Sequence, residues 1–288
     1  MSSLEQGRSL WAGAWRKLKS DRLVVASGVA FVIYALVALG VGTGWVASDW
    51  GTAVGASYQP PSLESWRHWL GTDIFGRSVI TKVIYGTQIA MGVGFVSALI
   101  SIPIGASLGA IAGYFGGWID EAVVWFYTTL SAIPTILLLV SITWVMGKGL
   151  AAIYIAIGVT SWVGLARMIR GEFIKHKERD YVMAADALGA SHMSRIFRHI
   201  LPNVFHFVII FFSMLFVSAI KAEVILSFLG LGVQGMPSWG IMIDDAKNEL
   251  SRGVWWQLAG ASGAMFFIVL ALNILGDALR DALDPKVR

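Results

Sequence analysis

The chain has 288 residues, 56% hydrophobic and only 14% charged, with a mean hydropathy of +0.69. Soluble domains carry nearly twice that charged fraction, so a soluble globular protein is excluded and the chain reads as an integral membrane protein. The absence of cysteine removes disulfides, thiolate metal ligands and cysteine nucleophiles, and the pI near 9.4 reflects basic residues gathered in particular segments, which bears on membrane topology more than on nucleic acid.

A bilayer core about 30 Å thick is crossed by roughly 20 mostly apolar helical residues. Six such runs occur, at 23–45, 86–112, 122–146, 151–169, 204–226 and 258–275. Long apolar runs in place of short alternating segments argue against a barrel, so the predicted fold is all-α with six transmembrane helices. Residues 1–22 form a basic tail in which Trp11, Trp15 and Leu18 recur at helical spacing. A short helix lying among the lipid headgroups and a disordered basic tail both fit this pattern. The first apolar run is as long as a full span and is followed by no convincing small-residue cleavage site, so it reads as a retained anchor. Residues 23–288 then make up the transmembrane domain.

The first long connection, about 46–85, contains Gln59-Pro60-Pro61 and then Leu70-Gly71-Thr72-Asp73-Ile74-Phe75-Gly76-Arg77. Connections of this length are functional or locally structured. In the second span Gly105, Gly109 and Gly113 form two overlapping G-x-x-x-G units on one face, a pattern that lets a neighbouring helix approach closely and predicts packing. Pro103 and Pro134 interrupt the second and third spans, each removing a backbone donor and favouring a kink. Gly147-Lys148-Gly149 lacks the glycine spacing and the hydroxyl of a P-loop, so no nucleotide site is expected in this chain.

Between the fourth and fifth spans lies a soluble-looking basic segment, about 170–203, that includes YVMAADALGASHMSRIFRHILPN from Tyr181. Ala184, Ala185 and Leu188 give one helical face, Gly189 interrupts it, and Met193, Ile196, Phe197 and Ile200 recur at helical spacing until Leu201-Pro202 is expected to end the helix. Two short helices joined at a glycine make a knob suited to a groove in a partner, although the same pattern could lie on the bilayer surface. His192, His199 and His206 recur every seven residues, but without nearby carboxylate or thiol ligands they are not read as a metal site. The second long connection, about 227–257, is rich in Gly and Trp, with Ser238-Trp239-Gly240 after a proline.

Most of the 22 basic residues fall on one side of the six-span arrangement. They lie before span one (Arg8, Arg16, Lys17, Lys19, Arg22), between spans four and five (Arg167, Arg170, Lys175, Lys177, Arg179, Arg195, Arg198) and after span six (Arg280, Lys286, Arg288). The positive-inside rule puts both termini and the 170–203 segment in the cytoplasm and the connections 46–85 and 227–257 outside it. The loop 113–121 gives no support, since it has Asp120 and Glu121 and no basic residue. Arg280 and Asp284, four apart, are expected to pair at the end of the last helix.

The run Ala184-Ala185, then Gly189, nine residues and His199-Ile200-Leu201-Pro202 closely resembles the EAA loop of ATP-binding-cassette importer permeases. Met183 stands at the usual glutamate position and His199 at the usual isoleucine. The similarity extends through Leu70-Gly71-Thr72-Asp73 with Gly76-Arg77, Gly113-Tyr114-Phe115-Gly116-Gly117 with Asp120, and Trp162 with Arg167 and Arg170. It continues through Ser227 to Gln234, Ser238-Trp239-Gly240, and Asn273 with Gly276 through Pro285. These blocks narrow it to the dipeptide, oligopeptide and nickel permease group, with departures at Ser78, Trp125, Thr128 and Ala261.

The resemblance implies a type I importer permease of the prokaryotic inner membrane with a cytoplasmic coupling helix. The chain would be non-catalytic and without a cofactor, ATP and Mg being bound by two partner ATPase subunits. A second, homologous permease subunit in a heterodimer and an extracytoplasmic substrate-binding protein are the other implied partners. Dipeptides or oligopeptides are the expected solutes, with a nickel or other metal chelate as the alternative, and an ion-gradient-driven secondary transporter as a different class. ATPase coupling is assigned to Ala184, Ala185, Leu188, Gly189, Arg195, Arg198 and Pro202. Lys221 and Glu223, near the outer end of the fifth span, are read either as structural, pairing at an interface with groups on another subunit, or as lining of the translocation path.

Overall fold

A computed structural model of the chain describes residues 18–283. The expected headgroup helix at Trp11 and Trp15, and the partner expected for Arg280 at Asp284, lie outside the described residues. The elements are α1 (Arg22–Gly42), α2 (Val79–Phe115), α3 (Gly117–Ser131), α4 (Thr135–Val145), α5 (Leu150–Thr160), α6 (Val163–Lys177), α7 (Asp180–Ala187), α8 (His192–Phe228), α9 (Trp239–Leu250) and α10 (Trp256–Leu283). Five helical stretches are long and apolar enough to cross a membrane, α5 and α6 counting as one, and the sixth crossing is α3 with α4 if that bent pair is one span. The all-helical class and the number of crossings therefore match the sequence reading.

The helices start where the sequence supplies caps. Asp21 accepts from Leu23 N at 2.8 Å ahead of α1, and Ser78 and Ser238 play the same part for α2 and α9. Most helices outrun the apolar segments that announce them. Helix α2 begins seven residues before 86, and α6 continues through the basic turn Lys175–Lys177, because backbone hydrogen bonding continues after hydropathy has dropped.

The prolines behave in three ways. Helix α2 runs unbroken through Pro103, so no interruption occurs there; inside a bundle, neighbouring groups can satisfy what a proline frees. At Pro134 the chain does break, with Pro134 extended (ψ 127°) and α3 and α4 bent by 87°. Pro134 has no N–H to continue the ladder of α3, and α4 starts afresh at Thr135. Pro202 does not end its helix. The preceding turn, Arg195–Ile200, is a π-helix, and Pro202 sits at the start of the α-helix that follows, where a missing N–H is tolerated.

Packing is centred on α2, which lies most extensively along α6 and also meets α1, α5 and α8. Gly105, Gly109 and Gly113 face α6: a Cβ on each would lie 2.7 Å from Trp162 O, 2.5 Å from Ala166 O and 2.5 Å from Arg170 O. The absence of three side chains lets two helix backbones approach. At one end, buried Val79, Phe216, Trp239, Met242 and Trp256 join α2, α8, α9 and α10; at the other, Leu165, Ile169, Phe173, Ile196 and Ile200 tie α6 to α8. The bundle thus has an α7 end and an α9 end, linked by α8.

Candidate functional site

At the α7 end the chain folds into a compact projection. Val182 and Ala185 of α7 are buried, Val182 against the cluster that holds Phe173, Ile196 and Ile200, which fixes one face of the short helix. Helix α7 stops at Ala187, with Leu188 as its C-cap. Gly189 has φ +82°, its N–H donates to Asp186 O at 2.8 Å, and Ala190 N–H reaches back to Ala185 O at 2.9 Å. This is the glycine-terminated helix end that a left-handed residue permits. Ser191 then caps α8 by accepting from Ser194 N.

Arg195 pins the two helices together. Its Nη1 is 2.7 Å from Asp186 Oδ1 across the turn, its Nη2 is 2.9 Å from His192 Nδ1, and its guanidinium lies over the Tyr114 ring at the end of α2. Tyr114 Oη is 2.8 Å from the same His192 nitrogen. Arg195 is therefore a brace within the projection, while Arg198 points outward.

What remains outside is apolar. Leu188 is 89% exposed, and Met183, Met193 and Phe197 are also exposed. The stripe expected at Met193, Ile196, Phe197 and Ile200 is divided: Ile196 and Ile200 are buried and Met193 and Phe197 face out, so half of it builds the projection and half is presented. Ala184 and Gly189 are exposed, Ala185 is buried, and Pro202 is exposed at the helix start. Met183, at the position where the resemblance expects glutamate, offers an apolar side chain on the same surface.

A second constellation lies at the α9 end and was missed by sequence reasoning. Lys82, 3% exposed, donates to Asp73 Oδ2 at 2.9 Å and to Gln257 Oε1 at 2.7 Å, and Gln257 in turn donates to Glu249 Oε2 at 3.1 Å. Asp73 also accepts from Arg77 Nε at 2.7 Å and from the backbone N–H groups of Phe75 and Arg77. Burial by itself would raise the Asp73 carboxyl. The Lys82 charge and the hydrogen bonds from Arg77 and Lys82 outweigh it and hold the carboxyl below the ordinary aspartate value. Burial raises the Glu249 carboxyl, with Lys82 opposing.

The connection 43–78 is tied to this network. Thr72 Oγ1 donates to Ala56 O and accepts from Gln59 N, and Trp256 Nε1 donates to Thr72 O at 2.9 Å. At Gly71 (φ +62°) a Cβ would meet Gln59 O at 2.5 Å. The long connection is thus a packed cap, and Leu70-Gly71-Thr72-Asp73 is its hinge to the bundle.

Lys221 and Glu223 do not come together. Lys221 is exposed, while Glu223 is buried and accepts from Ser227 Oγ at 2.7 Å; residues two apart on a helix face different ways. Among the described residues no group of three or more His, Asp or Glu is arranged to hold a metal ion.

A family profile described as binding-protein-dependent transport system inner membrane component matches residues 105–288. A second, described as the N-terminal transmembrane domain of oligopeptide transport permease C, matches residues 9–61. The chain is 37% identical over 278 residues to the dipeptide transport system permease protein DppC of Bacillus subtilis, covering 96% of this chain and 85% of that one. It is 35% identical over 289 residues to the glutathione transport system permease protein GsiD of Pectobacterium atrosepticum, covering 98% and 93%. With the oligopeptide transport system permease protein OppC of Bacillus subtilis it shares 33% over 282 residues, covering 97% and 91%.

Proposed function

The chain belongs to the family of binding-protein-dependent transport system inner membrane components, the non-catalytic permease subunits of ATP-binding-cassette transporters, and on that footing we propose that it imports short peptides, driven by ATPase subunits seated on the α7–α8 projection. A system of this kind implies an ATPase and a solute-binding protein as partners. The peptide assignment is supported by the relatives named for dipeptide, oligopeptide and glutathione transport.

The observation that carries the coupling assignment is Leu188. It stands 89% exposed on a rigid turn braced from behind by Arg195, with exposed Met183, Met193 and Phe197 nearby in the same segment. A large apolar side chain held out on a preorganised turn is an anchor for a partner's groove. The basic last turn of α6, Lys175 to Lys177, lies next to the projection and supports placing the α7 end in the cytoplasm. The cap at the α9 end then faces the binding protein.

In this arrangement ATP closes the ATPase pair and draws together the projections of this subunit and a homologous partner. The paired permeases switch from inward-facing to outward-facing, and hydrolysis resets them. This chain supplies no reacting group; it converts partner motion into access.

The test is uptake of a labelled dipeptide by cells expressing Leu188→Glu. The side chain packs against nothing that the substitution would disturb, so membrane abundance should stay at the wild-type level while uptake falls at least about tenfold, as expected for loss of an interface anchor. Normal uptake by this variant would remove Leu188 and the projection from the coupling role.

A further inference from the structure

We propose that the cavity between the α3–α4 elbow, the α5–α6 joint and α8 is a subsite for a carboxylate of the transported solute, with Arg167 as its cationic donor. This deepens the importer reading above and rests on it for the identity of the solute. The cavity has a volume of about 420 Å³, within the range of small-molecule sites. Its polar lining is Ser131, Thr135, Thr160, Ser161, Arg167 and Ser218, and the rest is apolar; among the described residues no Asp or Glu lines it.

Two spans are interrupted at this one place. Ser131 and Thr135 flank the 87° elbow, and Thr160 and Ser161 lie where α5 passes into α6. Ser161 lies about 16 Å along from the start of α5, near the middle of the continuous membrane-length stretch Leu150–Lys177. Non-helical backbone at that depth is tolerated where it lines a polar cavity, and interrupted spans are how transporters build solute sites.

Arg167 and Arg170 lie one turn apart on α6 and have different tasks. Arg170 donates from Nε and Nη2 to the two carboxylate oxygens of Asp120, at 2.5 and 2.6 Å, so its charge is matched. Arg167 faces the cavity: Nη2 donates to Ser131 Oγ at 3.1 Å and the guanidinium lies 4.9 Å from the Tyr127 ring centroid. Ser131 Oγ itself donates to Tyr127 O, so the hydroxyl holds the guanidinium as an acceptor and leaves its charge unneutralised. A guanidinium has five N–H donors in a fork that fits a carboxylate. Helix α4 starts at Thr135, a lining residue, with no side-chain cap, so its positive end adds to the potential there. A cationic, acid-free, hydroxyl-lined cavity at a break in two spans suits one end of a peptide, its carboxylate.

The chain has no cysteine, so Ser218→Cys introduces a single thiol into the cavity. In the complete importer purified through this chain, its reaction rates with anionic sulfonatoethyl and cationic trimethylammonioethyl methanethiosulfonate are compared with Arg167 present, in Arg167→Gln and in Arg167→Lys. The anionic-to-cationic rate ratio should fall about tenfold in Arg167→Gln and be largely kept in Arg167→Lys, as a single nearby charge dictates. Acetate, and not acetamide, should protect the thiol, and Arg167→Gln should abolish that protection. In proteoliposomes the importer should prefer a tripeptide over its C-terminal amide by about tenfold to a hundredfold, the worth of a charge-assisted hydrogen bond, and Arg167→Gln should erase the preference. An unreactive thiol, or a ratio indifferent to Arg167, overturns the subsite. Acetate protection with no transport of either peptide leaves the carboxylate site standing and overturns the peptide assignment.

Discussion

Lys82 shows how much a single residue can hold in this molecule. Its ammonium is buried among apolar helices and joins the cap 43–78, through Asp73, to α10 and α9, through Gln257 and Glu249. Removing one member of a buried ion pair leaves the other uncompensated, which costs about 3 to 5 kcal/mol. Asp73→Asn should therefore lower the unfolding free energy by about that amount, read as a fall in thermal midpoint in detergent; an unchanged midpoint would show that the pair is dispensable. The pH dependence follows from the lowered Asp73 carboxyl. A group whose folded value lies below its unfolded one contributes stability above the unfolded value, and that contribution is lost as pH falls through the folded value. Wild-type protection of amides 43–78 against hydrogen exchange should fall off below the ordinary aspartate range, and Asp73→Asn should be flat across it. None of this network could be read from sequence, because Lys82 and Gln257 stand 175 residues apart and only the closed fold brings them together.

At the scale of elements, close packing of α2 on α6 is the most constraining contact. A Cβ at Gly109 would sit 2.5 Å from Ala166 O, a backbone atom that can move only with its helix. Gly109→Leu should cost about 1 to 3 kcal/mol of stability by overpacking, and more if the helices separate; a thermal midpoint within error of wild type would contradict this contact. The glycine spacing announced that face, since a seam needing no side chains is written as small residues every fourth position. The prolines were not equally legible. Pro103 and Pro134 look alike in an apolar run, and what separates an unbroken helix from an 87° elbow is the surrounding packing. The π-helical turn at Arg195–Ile200 was likewise hidden, and it is what carries α8 through Pro202 and divides the apolar stripe between core and surface.

At the scale of the whole chain, composition and run length gave the class and the crossings, because the bilayer imposes one length and one hydropathy on every span. The projection at the α7 end was legible as a shape, two helices turned at Gly189, and its charges were legible only in part, since Arg195 braces it from within. The cavity at Arg167 escaped the sequence because its lining comes from five helices, with the elbow at Pro134 opening it. The molecule has a projection with exposed Leu188 at one end, a pinned cap at the other and an interrupted pair of spans between them. The projection is joined to the breaks by α6, which packs on α2, and by α8.

The most direct measurement is site-specific cross-linking from Leu188→Cys, the single thiol in an otherwise cysteine-free chain. A short bifunctional reagent is added to native membranes with and without ATP, and the adducts are identified by mass spectrometry. We expect the thiol to capture a P-loop ATPase subunit, with a yield that changes when ATP is added. Capture of lipid alone, or of nothing, with the importer intact would contradict coupling through the α7–α8 projection.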